Sequence, residues 1–215
     1  MRRAVLLQIL CLCLLPCLAQ AQLIRSFGLK VGTTAASQDW QFAPYAGFID
    51  PLTRWGLDVG GFVEWLDIPV FSISSELHYV QKGFRVQWPI PAPDDAVGRG
   101  YYGAATKSPR LDYLSVLLLA KARLAAGSSF LYIIAGPRLD SYLSTREGGE
   151  FDDVLKQVRS HELGVTMGLG CEATQLGPLN LGAEIRYSPT LQDSYTTSRL
   201  TVRNHSFEML VVLSY

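Results

Sequence analysis

The chain closes with the stretch FEMLVVLSY, residues 207–215, and this stretch decides how the rest is interpreted. Every second residue from Phe207 to Tyr215 is apolar or aromatic, while Glu208 and Ser214 lie on the other parity. A repeat of two residues is typical of a β-strand, because successive side chains point to opposite faces. The stretch therefore predicts a strand with one apolar face that ends on an aromatic ring, as strands that cross a membrane do.

The first residues predict an export signal. Arg2 and Arg3 precede an apolar run over residues 4–18, and Ala19-Gln20-Ala21 follows. A positive segment, an apolar segment and an A-x-A site are the three parts of a secretory signal peptide. A membrane-anchoring helix is the alternative, but the run is shorter than the roughly 20 residues that span a bilayer. We expect a cleaved signal peptide at residues 1–21 and a mature domain at residues 22–215.

Composition limits the mature chain further. Three of the four cysteines leave with the signal, so Cys171 has no intramolecular disulfide partner, and its apolar parity predicts a small buried hydrophobe. Removal of Arg2 and Arg3 leaves 17 basic against 19 acidic residues, a net charge of −2 that argues against nucleic acid as a partner. The most apolar remaining run, residues 111–124, is interrupted by Lys121 and Arg123. A membrane-spanning chain of this kind must therefore be a closed barrel.

Eight segments alternate between apolar and polar residues. They are residues 27–32, 57–65, 71–82, 113–124, 131–140, 162–172, 179–187 and 207–215. The long connections are residues 33–54, 85–110, 141–160 and 188–203, and short connections separate them. Outer-membrane barrels alternate short periplasmic turns with long outer loops in this way. The predicted fold is all-β, an eight-stranded antiparallel up-and-down transmembrane barrel in a bacterial outer membrane, with both termini on the periplasmic side.

We assign twelve charged residues to the polar parity, six of each sign. They are Lys30, Asp58, Glu64, Glu76, Lys82, Lys121, Arg123, Arg138, Glu162, Glu172, Glu184 and Arg186. In a membrane barrel these side chains face the interior, which is only wide enough to be filled by side chains, and buried charges must pair. We therefore predict a lumen ion-pair network. The alternative is a soluble lipocalin-like carrier, in which the same charges face water and the apolar parity forms the core.

Several segments resemble a known family. They are FGLKVGTT (27–34), SELHYVQKGF (75–84), DYLSVLLLAKARL (112–124), FLYIIAGPRL (130–139), LGAEIRYSPTL (181–191) and the terminal strand. Together they resemble the small outer-membrane β-barrel domain family of the Bacteroidetes group, labelled porin-family or PorT-like. The resemblance implies this fold and location. It implies no single activity, because members range from structural barrels to secretion-associated ones.

The residues predict a protein that is not an enzyme and has no cofactor or metal. His78, His161 and His205 are too far apart for a metal-binding pair on one element. The sequence GLGCEA at 168–173 fits a dinucleotide fingerprint, but a strand follows it where a helix is required. We expect a structural role, or binding of a ligand or protein at the outer loops 85–110 and 188–203, with the lipid bilayer as the other partner. The open alternatives are a narrow pore for small solutes and an outer-membrane hydrolase that uses His161.

Overall fold

The computed structural model describes residues 23–42, 51–91, 101–126, 129–146, 159–176, 179–196 and 200–215. Regular secondary structure in these ranges is all β. The strands are β1 (Ile24–Phe42), β2 (Arg54–Ile68), β3 (Phe71–Gly83), β4 (Val86–Pro91), β5 (Tyr101–Lys107), β6 (Arg110–Ala126), β7 (Ser129–Arg146), β8 (His161–Leu176), β9 (Leu179–Pro189), β10 (Tyr195–Thr196) and β11 (Leu200–Ser214). These ranges contain no helix long and apolar enough to cross a membrane.

Eight of the strands form a closed antiparallel ring in the order β1-β2-β3-β6-β7-β8-β9-β11. The first and last strands close it, with Leu29 opposite Leu213 and Val31 opposite Val211. Closure removes the sheet edges, so backbone groups along the wall find partners without water. The predicted eight-stranded up-and-down barrel is confirmed.

The two ends of the barrel differ. One end, called the turn end below, carries the short connections and both ends of the described chain, where Phe27 and Tyr215 exchange backbone hydrogen bonds of 3.1 and 2.9 Å. The opposite end, called the loop end, carries the four longer connections, residues 43–53, 84–109, 147–160 and 190–199. The predicted alternation of short and long connections therefore holds.

The barrel is apolar outside and charged inside. Leu118 and Ile133 are 53% and 56% exposed on the outer surface, whereas Glu76 and Arg186 in the interior are 3% and 1% exposed. A soluble carrier requires the reverse arrangement, so this structure does not support that alternative. Barrels with an apolar outer surface and a polar interior are outer-membrane proteins, which is the location expected from the sequence.

Aromatic pairs mark two levels of the outer surface. The rings of Phe27 and Tyr215 lie 5.7 Å apart near the turn end, and those of Tyr187 and Phe207 lie 4.7 Å apart nearer the loop end. Phe207 and Tyr215 belong to one strand, and their eight-residue separation spans about 27 Å along it. Strand tilt reduces this to about 20 Å, comparable with the apolar band of outer-membrane barrels. The closing stretch of the sequence thus extends from one aromatic level to the other.

Three details differ from the sequence expectations. Strand β1 continues to Phe42, into the expected loop 33–54, because backbone pairing continues where the apolar alternation stops. The expected loop 85–110 contains its own antiparallel hairpin, β4–β5. Cys171 is exposed on the outer face and not buried, because the apolar parity of a membrane barrel points away from the interior.

Candidate functional site: the charged lumen

Strand alternation places the predicted charged residues inside the barrel. Eleven of the twelve are buried, and Glu172, near the turn end, is half-buried. Their side chains form three clusters at successive levels of the lumen. These are called below the central, loop-side and turn-side clusters.

The central cluster crosses the lumen between β1, β3 and β9. Lys30 Nζ donates to Glu76 Oε1 at 2.7 Å and to Glu184 Oε2 at 3.0 Å. Arg186 Nη2 donates to Glu76 Oε2 at 2.6 Å, and its Nε donates to Glu184. Two cations and two carboxylates therefore form a closed ring of charge-assisted bonds, the strongest class of side-chain hydrogen bond.

His78 extends the central cluster, although it was not among the predicted site residues. Its Nδ1 lies 2.6 Å from Asp58 Oδ1, and its Nε2 lies 3.1 Å from Glu76 Oε2. A doubly protonated ring donates to both carboxylates in this geometry. Gly60 on the neighbouring strand makes the space, because a Cβ there would lie 2.4 Å from the ring carbon Cγ of His78.

The loop-side cluster joins β3, β7 and β11. Arg138 donates from Nε to Asp140 Oδ1 at 2.7 Å and from Nη1 to Glu208 Oε1 at 2.5 Å. Lys82 Nζ donates to Asp140 Oδ2 at 2.5 Å, and Ser115 Oγ donates to Asp140 Oδ1 at the same distance. Asp140 and Glu208 were not among the predicted site residues, although both lie on the polar parity.

The turn-side cluster gathers cations around Glu64. Lys121 Nζ lies 3.0 Å from Glu64 Oε2 and 3.4 Å from Glu172 Oε2. Arg25 Nε lies 3.6 Å from Glu64 Oε1, which also contacts Arg123 Nη2. The buried carboxylate of Glu64 is therefore shared by three cationic side chains.

Glu162 stands apart from these clusters. It is fully buried, yet within the described ranges it forms no ion pair with a cation. Its carboxylate accepts from Tyr113 Oη at 3.1 Å and from Asn204 Nδ2 at 3.2 and 3.0 Å. Asn204 in turn accepts from Gln38 Nε2 at 2.8 Å. The structure places Glu162 in a hydrogen-bonded chain of neutral groups.

The predicted balance of six cations against six carboxylates does not describe the lumen. Among the described residues, six Lys and Arg side chains and eight carboxylates are buried. The additional carboxylates are Asp112, Asp140 and Glu208. Asp112 pairs with Arg110 at the loop end, Nε to Oδ1 at 3.0 Å. The sequence count omitted Asp140 and Glu208, although both lie on the polar parity. Asp112 lies on the apolar parity of its strand, and it is buried next to an irregularity in strand pairing between Asp112 and Tyr113.

Apolar side chains also occupy the interior, in addition to the predicted charged residues. Leu117, Leu119, Tyr132 and Ile134 form one buried cluster on the inner faces of β6 and β7. The loop end holds a second cluster of Phe84, Val86, Leu111 and Tyr113, against which Trp40 and Tyr142 pack. The second cluster is called the aromatic cap below. The Trp40 and Phe84 rings lie 5.1 Å apart in an edge-to-face contact.

Two glycines of β8 give room to long side chains inside the barrel. A Cβ at Gly170 would lie 2.2 Å from the Tyr132 ring. A Cβ at Gly168 would lie 3.2 Å from Arg186 Cγ. Tyr132 uses the space to donate from Oη to Glu184 at 2.9 Å, and Lys121 Nζ lies 4.0 Å from the centre of its ring. The short glycine repeat in β8 therefore serves packing.

The three histidines occupy different environments. His78 lies in the lumen, and His205 Nδ1 lies 3.6 Å from Asp39 Oδ2 near the loop end. His161 lies on the outer face, where its Nδ1 is 3.2 Å from Ser141 Oγ. Its sequence neighbour Glu162 faces the lumen, so it cannot orient the His161 ring. Within the described part of the chain, no group of His, Cys, Asp and Glu could hold a metal ion.

Comparisons with known proteins give a likeness of architecture. No protein-family model matches the chain, and no curated protein matches it. Among solved structures it is similar to the outer membrane protein OprG from Pseudomonas aeruginosa, with 11% identity, coverage of 91% of this chain and 98% of that chain, and a TM-score of 0.48.

Two further structures show the same degree of similarity. Neisserial surface protein A has 14% identity, coverage of 87% of this chain and 97% of that chain, and a TM-score of 0.44. Ail, the attachment invasion locus protein of Yersinia pestis in complex with the heparin analogue sucrose octasulfate, has 11% identity, coverage of 88% and 98%, and a TM-score of 0.43. These likenesses transfer no residue roles, and the fold assignment rests on the strand pairing described above.

Proposed function

We propose that this chain is a non-enzymatic outer-membrane barrel whose lumen is closed and whose long loops bind a ligand or a partner protein. One observation carries the proposal. Side chains fill the lumen level by level, with the turn-side, central and loop-side clusters in sequence and the aromatic cap above them. An eight-stranded barrel is only wide enough for such a filling, so little space remains for a solute.

The ionic clusters favour a closed lumen over a pore. The central cluster joins Arg186 on β9 to Glu76 on β3 and so links opposite walls of the ring. Each charged side chain of its ring has a partner of opposite sign within 3.0 Å. A permeating ion would have to separate these buried pairs, which costs several kcal/mol for each charge left without a partner.

Two loops carry structure of their own, which supports a binding role. The β4–β5 hairpin belongs to the expected contact loop 85–110 and forms a two-stranded sheet separate from the barrel sheet. Its base is held in the barrel by Phe84 and Val86 of the aromatic cap. The other expected contact loop, 188–203, contains β10, which pairs with β11 through Tyr195 and Val202. Loops anchored in this way present a defined surface at the loop end, where function on barrels is commonly found.

A hydrolytic role has less support. His161 and Ser141 are within hydrogen-bonding distance on the outer face, but the only carboxylate adjacent to His161 in sequence, Glu162, points into the lumen. Nucleophilic hydrolysis requires a third group to orient the base. We therefore expect His161→Ala to leave the protein's function unchanged.

Conductance in planar lipid bilayers tests the proposal. The folded wild-type barrel should produce no stable ionic steps, and a variant that lacks the central cluster, Lys30→Ala with Glu76→Ala, Glu184→Ala and Arg186→Ala, should produce them. Steady conductance of the wild-type protein would identify a narrow pore and overturn the closed-lumen proposal. A matched change at the surface pair, Arg203→Ala with Asp193→Ala, should stay as silent as wild type, because those side chains lie outside the lumen.

Two finer assignments remain predictions. Cleavage of the signal peptide at residues 1–21 would be verified if the protein isolated from the outer membrane began at Gln22. The PorT-like, Bacteroidetes-type relationship rests on the sequence resemblance alone. A secretion-associated role would follow from that relationship only if deletion of the protein impaired secretion.

A further inference from the structure

A polar cavity opens into the turn end of the lumen, below the turn-side cluster. Its volume is about 250 Å³, and its lining includes Ser26 on β1, Arg123 on β6, Phe130 on β7, Glu172 on β8 and Asn180 on β9. Five strands of the wall thus contribute to one small space. The central and loop-side clusters lie between this cavity and the loop end, so a ligand would reach it from the turn end.

Arg123 and Arg25 are the cations that line the cavity, and Arg123 has unused bonding capacity. Its side chain is 3% exposed, and Nη1 has no hydrogen-bond partner among the described residues. A buried donor without an acceptor is destabilising unless a ligand or water supplies one. The single carboxylate that Arg123 contacts, Glu64, is also shared with Lys121 and Arg25. The positive charge of Arg123 is therefore incompletely compensated.

The remaining lining fits an anionic ligand. Ser26 and Asn180 carry neutral hydrogen-bond donors in the wall of the cavity. Glu172 would repel an anion, but its two oxygens accept from Ser214 Oγ at 2.9 Å and from Lys121 Nζ at 3.4 Å. Its charge is thus largely compensated. Phe130 forms an apolar part of the lining and limits the room for larger polar groups.

We propose that this cavity binds a small oxyanion, a carboxylate or phosphate group, with Arg123 as its charged ligand. The planar guanidinium matches the spacing of oxygens in both groups, and such bonds are shorter and stronger than those between neutral partners. The cavity volume suits one such group and excludes a polymer. The same phosphate chemistry could come from a soluble anion or from a lipid headgroup at the membrane surface.

Nuclear magnetic resonance of arginine side chains in the folded, full-length barrel tests the proposal. The protein is labelled with ¹⁵N-arginine in a non-ionic detergent and titrated separately with inorganic phosphate, acetate and chloride at constant ionic strength. The Arg123 signal, identified by its absence in Arg123→Lys, should shift and saturate with phosphate or acetate and not with chloride. A second arm uses short-chain phosphatidic acid, and saturation in that arm alone would identify a lipid headgroup as the occupant.

Two variants separate binding from structure. Asn180→Ala removes a wall donor without changing an ion pair, and we expect it to weaken oxyanion binding by about tenfold. Arg146→Gln, at the opposite end with a side chain 67% exposed, should leave binding unchanged. Absence of a saturating Arg123 shift with every oxyanion would overturn the proposal. An equal response to chloride, or unchanged affinity in Asn180→Ala, would overturn it as well.

Discussion

Arg186 on β9 and Glu76 on β3 meet across the full width of the barrel, with Nη2 and Oε2 2.6 Å apart, although 110 positions separate them in the chain. The two strands are four places apart in a ring of eight, so they form opposite walls. This pair acts as a cross-brace, because it links two strands that are not neighbours in the sheet. The first prediction concerns this brace.

Arg186→Met and Glu76→Met should each destabilise the folded barrel by about 3–5 kcal/mol, because each leaves one uncompensated charge in the buried ring of two cations and two carboxylates. The double variant should be more stable than either single variant, since Lys30 and Glu184 remain paired at 3.0 Å. Urea unfolding in lipid vesicles measures all three. Arg203→Met, at an exposed pair with Asp193, is the control and should cost less than about 1 kcal/mol. Additive losses in the double variant would show that the two charges do not depend on each other.

The second prediction compares Gly170 and Gly61, where an added Cβ would point to the inside and to the outside of the barrel respectively. Gly170→Ala should destabilise the barrel by about 1–3 kcal/mol, because its Cβ would overlap the Tyr132 ring at 2.2 Å. Gly61→Ala should change stability by less than about 0.5 kcal/mol, since the nearest atom would lie 3.7 Å away. The fraction of the protein that stays folded in SDS before heating measures the stability of both variants. A neutral Gly170→Ala would mean that Tyr132 does not occupy this space.

The third prediction compares a residue that faces lipid with a residue of similar exposure that faces water. Leu118 and Leu191 are 53% and 65% exposed, but Leu118 lies in the middle of β6 and Leu191 lies in a loop-end connection. Leu118→Arg should cost about 2–4 kcal/mol in a bilayer, the cost of a charge placed in lipid. Leu191→Arg should be nearly neutral. Equal effects in vesicle unfolding experiments would contradict a membrane position for the middle of β6.

The fourth prediction concerns Cys171, which is exposed on the outer face beside Leu169 and Leu131. In a bilayer a charged, water-soluble maleimide should not label it, although it should react fully after denaturation. The matched control is Cys171→Ala combined with Ser160→Cys, because Ser160 is exposed near the loop end. That control should react in intact vesicles. Rapid labelling of Cys171 in the folded protein would place this part of β8 in water.

The face on which each side chain lies could be predicted from the sequence, because a strand repeats every two residues. Lys30 and Arg186 were expected inside and Leu118 outside for this reason, and the structure agrees. Asp140 and Glu208 carried the same parity signal, and a complete count would have found them. His78 also lies on the polar parity, but its role depends on Asp58 of a neighbouring strand.

Contacts across the lumen could not be predicted in the same way. The meeting of Arg186 with Glu76 depends on the strand count and on the relative shift of neighbouring strands, which a local pattern does not contain. The β4–β5 hairpin was not predicted, because Pro, Gly and Asp in residues 85–110 favour turns and irregular structure. The length of β1 was underestimated because its last residues leave the apolar region while their backbone pairing with β11 continues.

The pairing of β1 with β11 has a consequence for how the molecule acquires its shape. Leu29 pairs with Leu213, which lies 184 positions later in the chain, so the first strand keeps an unpaired edge until the last strand is in place. Long-range pairing of this kind slows folding and prolongs the time in which an open sheet can aggregate. A nascent chain truncated before Leu200 would lack the strand that seals the ring. Such fragments should need a chaperone that shields the unpaired strand, whereas the closed barrel in a bilayer has no open edge.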